Sequence, residues 1–286
     1  MATSNPLLHT HTHDALAAVQ VNPPHALLLT GAAGMGKATI AQWLAGQLLG
    51  VDTTSISDHP YVFHIASADG KAISIDAVRT LEHAVSLKAP SRQAVSRLII
   101  MYDAHLLTTE AQNALLKTLE EPPQGTVLLL TSSQQEALLP TIRSRLQTVE
   151  VLRPNRDALA TLLTSLGATD AEVVTTLALS GGLPGLAVAL TQNDQEHPLV
   201  AAAHTARELL QQSTFEKLCQ VERLAKDKEA ARNTVHLLMQ MAHAALLTGR
   251  SSERWQRILQ AAYQTDKALT TNAQPKLALT NLMLNL

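Results

Sequence analysis

One glycine-rich segment of the chain has the spacing of a phosphate-binding loop. It follows the short apolar run Ala26–Thr30 and reads Gly31, Ala32, Ala33, Gly34, Met35, Gly36 and Lys37. A strand that ends in such a turn and opens a helix directs several backbone N–H groups at one point, where the helix dipole also favours an anion. The glycines permit a close backbone approach, and Lys37 is placed to meet the β- and γ-phosphates of a nucleotide.

The residue after the lysine departs from that pattern. The pattern requires Ser or Thr there, because the hydroxyl ligates Mg²⁺. This chain has Ala38, and Thr39 follows one residue too late. One residue along a helix is a rotation of about 100°, so Thr39 cannot simply take over. The segment Gly31–Thr39 is therefore either a loop that still binds ATP or ADP, or a strand–turn–helix that keeps only the shape.

A second candidate group is the carboxylate of Asp103. It ends the apolar segment Leu98–Asp103, and ligands bind at the carboxyl ends of strands in open α/β sheets. Asp103 could hold Mg²⁺ directly or through water, although without the glycine loop a simple cap would explain it equally well. Ala104 follows and cannot act as a general base. We expect His105 to be a poor substitute, because the next residue of a continuing strand points to the opposite side.

The elements that must position these groups follow from the order of apolar runs. Up to about Val151, strands alternate with helical patterns, which predicts a mainly parallel sheet covered on both faces. After Pro154 the strand signal stops and Ala/Leu-rich helical patterns follow, one of them spanning Phe215–Arg250. The polar segment Gln192–Pro198 indicates a linker. The predicted strands are Ala26–Thr30, Tyr61–Ile65, Leu98–Asp103, Val127–Thr131 and Thr148–Val151.

A helix between the second motif and the next strand is well specified. Thr109 with Gln112 has the spacing of a capping box, and Pro122 with Pro123 forbids continuation. We therefore predict a helix over Thr109–Glu121.

Composition narrows the class of protein. No apolar run approaches the roughly 20 residues that cross a bilayer, and the N-terminus lacks the pattern of a secretion signal, so we expect no membrane association and a cytoplasmic location. The net charge of −2 and the 2% content of aromatic residues do not indicate a nucleic-acid binder. The one cysteine, Cys219, excludes a cysteine-rich zinc module and is expected to lie in a core.

Two blocks carry a specific resemblance to a known family. The segments Glu110–Pro123 and Leu139–Arg145 resemble bacterial DNA polymerase III clamp-loader subunits, and the likeness extends to His25–Gly31 and to residues 272–279. These subunits form pentameric AAA+ machines that open a sliding clamp and close it around primed DNA. The resemblance implies an AAA+ P-loop α/β domain over residues 1–153, a small helical lid domain over 154–195, and an all-helical oligomerisation (collar) domain over 196–286.

Within this family the chain looks most like the delta prime type. The ATPase subunits, gamma and tau, carry Asp-Glu at the second motif and a four-cysteine zinc module between the two motifs. Here Asp103-Ala104 stands instead, and the interval has no cysteine. The arginine that senses the γ-phosphate in an ATPase subunit is replaced by Leu186. Most delta prime subunits also have the zinc module, so this chain is a trimmed member with no zinc expected.

The resemblance also implies roles for particular residues. Ser144-Arg145 matches the start of the family's Ser-Arg-Cys motif, with Leu146 in place of the cysteine, so Arg145 is expected to reach the ATP of a neighbouring subunit as an arginine finger. Thr131 stands where AAA+ folds have a polar sensor, or is an ordinary helix cap. The implied partners are the gamma/tau ATPase subunits and the delta subunit in a hetero-pentamer, the sliding clamp, and primed DNA through the complex.

Two other functions stay open from the residues alone. A catalytic gamma/tau-type subunit or another independent AAA+ ATPase would need a glutamate at position 104 and a γ-phosphate sensor arginine. A P-loop kinase of small molecules would leave the Leu139–Arg145 block and the helical C-terminal half without a purpose. The chain's own ATP hydrolysis is expected to be weak or absent.

Overall fold

The computed structural model describes residues 5–67, 71–86, 95–194, 197, 199–247, 253–271 and 274–286. The chain divides into two compact units, Met1–Pro154 and Asn155–Leu286. Each unit is described by itself below.

The first unit is an α/β layer structure. In the described part of this unit the elements, in chain order, are α1 (Thr10–Val21), β1 (Ala26–Thr30), α2 (Lys37–Leu49), β2 (Val62–Ile65), α3 (Ile75–Ser86), β3 (Arg97–Met101), α4 (Thr109–Glu120), β4 (Thr126–Ser132), α5 (Pro140–Arg143) and β5 (Gln147–Glu150). Short 3₁₀ turns occur at Thr53–Ser55, Ala104–Leu106 and Gln135–Ala137. The predicted strands are confirmed to within a few residues at each end.

The five strands form one parallel sheet in the order β2-β3-β4-β1-β5. Every residue of β1, β3 and β4 is buried, as expected for parallel strands that are covered on both faces. A core cluster joins α4 to strand residues such as Leu28, Ile99 and Leu128, and it also includes Leu146. The carboxyl ends of β1, β3 and β4 therefore share one edge, where the glycine loop and Asp103 lie.

The second unit is helical throughout its described residues. Its helices are α6 (Arg156–Ser165), α7 (Asp170–Leu179), α8 (Pro184–Thr191), α9 (Val200–Gln211), α10 (Thr214–Lys226), α11 (Lys228–Leu247), α12 (Glu253–Thr270) and α13 (Pro275–Asn285). Leu186 is fully buried in this unit. The predicted parallel-sheet α/β fold followed by helical domains is confirmed. The division of the helical half at residues 195 and 196 stays a prediction, and Gln195, Glu196, Asn272 and Ala273 lie outside the described residues.

The helical pattern over Phe215–Arg250 corresponds to two helices, α10 and α11, in the described residues. It is interrupted at Asp227, whose backbone is extended with φ −118° and ψ 99°. The Asp227 carboxylate accepts hydrogen bonds at 3.0 Å from the backbone N–H groups of Glu229 and Ala230 and so caps the start of α11. The apolar spacing runs through the break, which is why periodicity alone missed it. Arg250 lies outside the described residues.

Cys219 is also placed differently from the prediction. Its side chain is exposed, because the buried face of α10 passes through Lys217, Val221 and Leu224. Spacings of four and three residues keep those three side chains on one face, and Cys219 falls outside that series. Across the described residues, no helix is both long and apolar enough to cross a bilayer.

Candidate functional site

The glycine loop connects β1 to α2 at the carboxyl edge of the sheet. Gly31 has φ +145°, and a Cβ atom placed on it would lie 2.8 Å from the carbonyl oxygen of Val151, so only glycine fits there. Gly36 is the N-cap of α2 in the left-handed conformation, and it has no side chain that could cap the helix. The first-turn amides of α2 are therefore left for an external acceptor. Met35 is buried, whereas Ala38 and Thr39 are exposed.

The side chain of Lys37 is folded back onto this loop. Its Nζ donates to the carbonyl oxygens of Gly31 at 2.8 Å and of Ala32 at 2.9 Å. Burial lowers the pKa of Lys37 from 10.5 to about 8, and the nearby charge of Asp103 partly opposes that shift. The ammonium group is thus held among the loop carbonyls, and an anion at the loop would offer it a stronger acceptor.

Asp103 lies beside this loop in an unusual backbone conformation. Its φ is +48°, in the left-handed region, and its backbone N–H donates to the Thr131 hydroxyl at 3.0 Å. Thr131 is almost completely buried at the end of β4, so its hydroxyl fixes the turn that carries Asp103. The Asp103 side chain itself is about half exposed, 54%. Thr131 and Asp103 are therefore brought together at the ends of two neighbouring strands.

The expectation for His105 assumed a continuing strand, and that assumption is wrong. The strand ends at Met101, and Ala104–Leu106 forms a 3₁₀ turn, so the alternation of a continuing strand does not apply to His105. Its Nδ1 lies 4.0 Å from Asp103 Oδ1, and its Nε2 is 3.3 Å from the hydroxyl of Ser133. His105 thus belongs to the same edge cluster. Ala104 is completely buried and supplies no functional group.

The donor set for a metal at this edge is small. Asp103 is the carboxylate beside the loop, and Ala38 lacks the hydroxyl that the phosphate-loop pattern provides. In the part of the chain that the structure describes, no group of three or more His, Cys, Asp or Glu side chains could hold a metal ion. The loop geometry fits a phosphate chain, and the metal would depend on Asp103 and on the phosphates themselves.

The Ser-Arg segment lies at the surface of the first unit. Arg145 follows the short helix α5, and 36% of its side chain is exposed. Its Nη2 lies 2.6 Å from Glu120 Oε1, and its Nη1 donates to the Thr141 carbonyl oxygen at 2.9 Å. Leu146, the next residue, is buried in the core cluster and so holds the Ser-Arg turn against the first unit. The guanidinium group is therefore accessible to another molecule.

Gln112 holds the segment that leads into α5. Its Nε2 donates to the carbonyl oxygens of Leu107 and Ala137, both at 3.2 Å, and its Oε1 accepts from the Leu139 N–H at 2.7 Å. The predicted capping box of Thr109 with Gln112 is wrong by one residue. The N-cap is Thr108, whose hydroxyl accepts from the Ala111 N–H. Because glutamine is common at the last position of a capping box, the sequence did not reveal that the Gln112 side chain is buried and bonds to backbone groups.

Glu120 was not singled out in the sequence as a functional residue. The block Glu110–Pro123 marked the helix, but its pairing with a residue 25 positions away follows from the packing of α4 against α5. No spacing rule relates the two positions.

A family model and curated relatives match this chain. The family model described as DNA polymerase III, delta subunit matches residues 11–155, just over half of the chain. The chain belongs to this family. It is 35% identical over 187 residues to DNA polymerase III subunit delta' of Escherichia coli and 32% identical over 182 residues to that of Haemophilus influenzae. Each alignment covers 59% of this chain and 55% of the relative. The predicted resemblance to the delta prime type is confirmed.

A solved structure shows that the fold is shared over almost the whole chain. The gamma subunit-related protein of DNA polymerase III from Thermotoga maritima superposes with a TM-score of 0.51 at 21% identity, and the match covers 96% of this chain and 97% of that one. At this identity the likeness concerns the fold alone. The chain spans about half the length of the curated relatives it matches.

Proposed function

We propose that the chain is a delta prime subunit of the DNA polymerase III clamp loader that supplies Arg145 to the ATP site of a neighbouring subunit. The observation that carries this proposal is the combination of an accessible guanidinium on the Ser-Arg turn with Ala104 in the place of a catalytic carboxylate. The Arg145 guanidinium would contact the triphosphate bound by another subunit, and the chain itself would hydrolyse little or no ATP.

The chemistry of Arg145 suits this role. A guanidinium offers a rigid charged fork to phosphoryl oxygens and stabilises the negative charge that develops during phosphoryl transfer. Arginine fingers supplied in trans raise turnover by about 10³- to 10⁵-fold in known nucleotide hydrolases. Arg145 lies on a turn whose neighbour Leu146 is buried in the core, and Gln112 bonds to the segment that leads into this turn. The turn therefore loses little conformational freedom when Arg145 contacts a phosphate.

A nucleotide fits the chain's own loop less completely. The segment Gly31–Thr39 would cradle the phosphates of ATP or ADP through the amides of α2 and through Lys37, and Asp103 would contribute to a Mg²⁺ site. Bound Mg²⁺ would screen the phosphate charges. Without a hydroxyl at Ala38 or a carboxylate at Ala104, we infer that nucleotide here has a structural role, with Thr131 holding Asp103 rather than sensing the γ-phosphate.

The proposed partners follow from the family. Relatives include delta prime subunits and the gamma/tau subunit of Mycobacterium tuberculosis, which is 34% identical over 145 residues. We infer a hetero-pentamer with gamma/tau and delta subunits that acts on a sliding clamp and on primed DNA in the cytoplasm. Residues 196–286 would form the collar, which is consistent with the exposed side chains of Phe215, Leu277 and Leu284.

The test is ATP hydrolysis by a reconstituted complex. The ATPase subunits would carry alanine in place of their own Ser-Arg arginine, so that only the site facing this chain receives an arginine. Arg145→Ala is expected to lower turnover at that site by about 10³-fold without preventing assembly. Arg143→Ala is the matched control, because Arg143 is exposed at the end of α5, two residues before Arg145.

Equal turnover with Arg145→Ala and Arg143→Ala would refute the proposed function. The alternative, a catalytic gamma/tau-type ATPase, predicts that the isolated chain hydrolyses ATP and that Lys37→Ala abolishes this activity.

A further inference from the structure

The N–H groups of Arg145 are mostly engaged within its own chain. Nη1 donates to the Thr141 carbonyl oxygen at 2.9 Å and to the Ser144 hydroxyl at 3.4 Å, and Nη2 donates to Glu120 at 2.6 Å. A guanidinium has five N–H donors, so three of the five have acceptors in the same unit. A bidentate contact with a phosphate needs two adjacent donors, and Glu120 occupies one of the terminal nitrogens.

The position of Glu120 points to a role outside its helix. Glu120 is the last residue of α4, where the negative end of the helix dipole disfavours a carboxylate. Its carboxylate therefore does not stabilise α4 through the dipole. Instead it reaches Arg145, which lies after the next helix, and joins the C-terminal ends of α4 and α5.

The end of α4 and the segment that carries Arg145 are fixed relative to each other. Gln112, near the start of α4, bonds to the Ala137 carbonyl oxygen and to the Leu139 N–H just before α5. Ile142 and Leu146 are buried on either side of the Arg145 turn. Because the backbone is held in this way, release of Arg145 requires only a change of side-chain rotamer.

We propose that Glu120 holds Arg145 in a parked position, from which the guanidinium is released when the triphosphate of a neighbouring subunit replaces the carboxylate. This inference rests on the proposed function of Arg145. A triphosphate carries more negative charge than one carboxylate, so the exchange favours the neighbour's ATP once the two subunits meet. Glu120 is then a positioning residue that restrains Arg145 in the absence of that ligand.

The size of the effect follows from the exposure of the pair. The side chains of Arg145 and Glu120 are 36% and 51% exposed, and exposed ion pairs contribute at most about 1 kcal/mol. That energy corresponds to about a five-fold change in a rate or an equilibrium. A restraint of this strength delays engagement of Arg145 without preventing it.

The experiment measures kcat/KM for ATP in the reconstituted complex with wild-type chain and with Glu120→Gln. This ratio compares the free complex, in which Arg145 is parked, with the transition state, in which it contacts phosphate. Glutamine keeps the size and the acceptor oxygen of Glu120 but removes its charge. We expect kcat/KM to rise about two- to five-fold. Glu121→Gln removes the same charge one residue later and is expected to leave kcat/KM unchanged.

Two other results would overturn the inference. An unchanged kcat/KM would make the pair a surface contact without effect on Arg145, and a fall would mean that Glu120 directs Arg145 toward the phosphate. In an Arg145→Ala background, Glu120→Gln is expected to have no effect. If Arg145→Ala alone leaves kcat/KM unchanged, the proposed function fails, and this outcome is distinct from a failure of the parking inference.

A double-mutant cycle on the isolated chain tests whether the pair forms in solution. Glu120→Gln, Arg145→Gln and the double variant are compared by urea unfolding of the first unit at low and high salt. A coupling between the two positions that decreases with salt is expected. Additive effects at low salt would contradict the parked state.

Discussion

Replacement of Gln112 by alanine gives the sharpest test of how the Arg145 segment is held. The side chain is 3% exposed and makes three hydrogen bonds to backbone groups: two from Nε2 to the carbonyl oxygens of Leu107 and Ala137, and one to Oε1 from the Leu139 N–H. These bonds join α4 to the segment before α5. Their loss would leave three backbone groups without their present partner.

The magnitude follows from those three bonds. Each contributes about 1 kcal/mol net, so Gln112→Ala is expected to destabilise the first unit by about 3 kcal/mol. Leu139 is only partly buried, so water can satisfy its N–H in the variant, which keeps the expected cost near this value. Asn113→Ala is the matched control, because Asn113 is the exposed neighbour on the same helix and should change stability by less than about 0.5 kcal/mol.

The assay exploits the placement of the two tryptophans in different units. Trp43 is buried in the first unit and Trp255 belongs to the second, so a Trp255→Phe background makes fluorescence report the first unit alone. Urea unfolding then gives the change in free energy, and hydrogen exchange at the Leu139 amide gives the local effect. A loss below about 1 kcal/mol, or one equal to that of Asn113→Ala, would refute the proposed bridge.

Three further predictions concern pH and backbone geometry. Burial lowers the pKa of Lys37 from 10.5 to about 8. Between about pH 8 and pH 10.5 the unfolded chain therefore binds more protons than the folded chain. The unfolding free energy should rise with pH over this range, by up to about 3 kcal/mol relative to Lys37→Met. A pH-independent difference between the two proteins would contradict this. Gly31→Ala should cost about 2 kcal/mol in urea unfolding, since its Cβ would meet a backbone carbonyl at 2.8 Å. Gly50→Ala has a positive φ but open space and should cost less, so equal costs would refute the argument. The hydrogen bond from His236 lowers the pKa of Asp266. The stability that the ionised Asp266 carboxylate contributes should therefore be lost as pH falls through the acidic range. Asp266→Asn should not show this pH-dependent loss of stability in acid unfolding.

The sheet and the loop were predictable because their signals are local. Short apolar runs between helical patterns identified all five strands, and the glycine spacing identified the loop and Lys37. The carboxyl ends of parallel strands share an edge, so the sequence placed Asp103 and the glycine loop at the same edge of the sheet, whereas the contact of Asp103 with Thr131 came from the strand order in the structure. In each case a rule about neighbouring residues or strand polarity was sufficient.

The remaining features were missed for two reasons, a local break that the apolar pattern did not show and contacts between distant residues. The break at Asp227 was hidden because only this one residue separates α10 from α11, and the apolar spacing continues across it. His105 was misplaced because the strand ended earlier than its apolar run. The bonds of Gln112 and the pairing of Glu120 with Arg145 arise from the packing of α4 against α5. These contacts between α4 and the segment after it have no spacing that a sequence rule could detect.

The most direct test of the central claim is ATP turnover by the isolated chain and by ATPase subunits mixed with it. The account predicts negligible turnover by the chain alone, no effect of Lys37→Ala on that background, and a stimulation of the mixture that disappears with Arg145→Ala. Rapid hydrolysis by the isolated chain that Lys37→Ala abolishes would contradict the claim that its arginine serves the ATP site of another subunit.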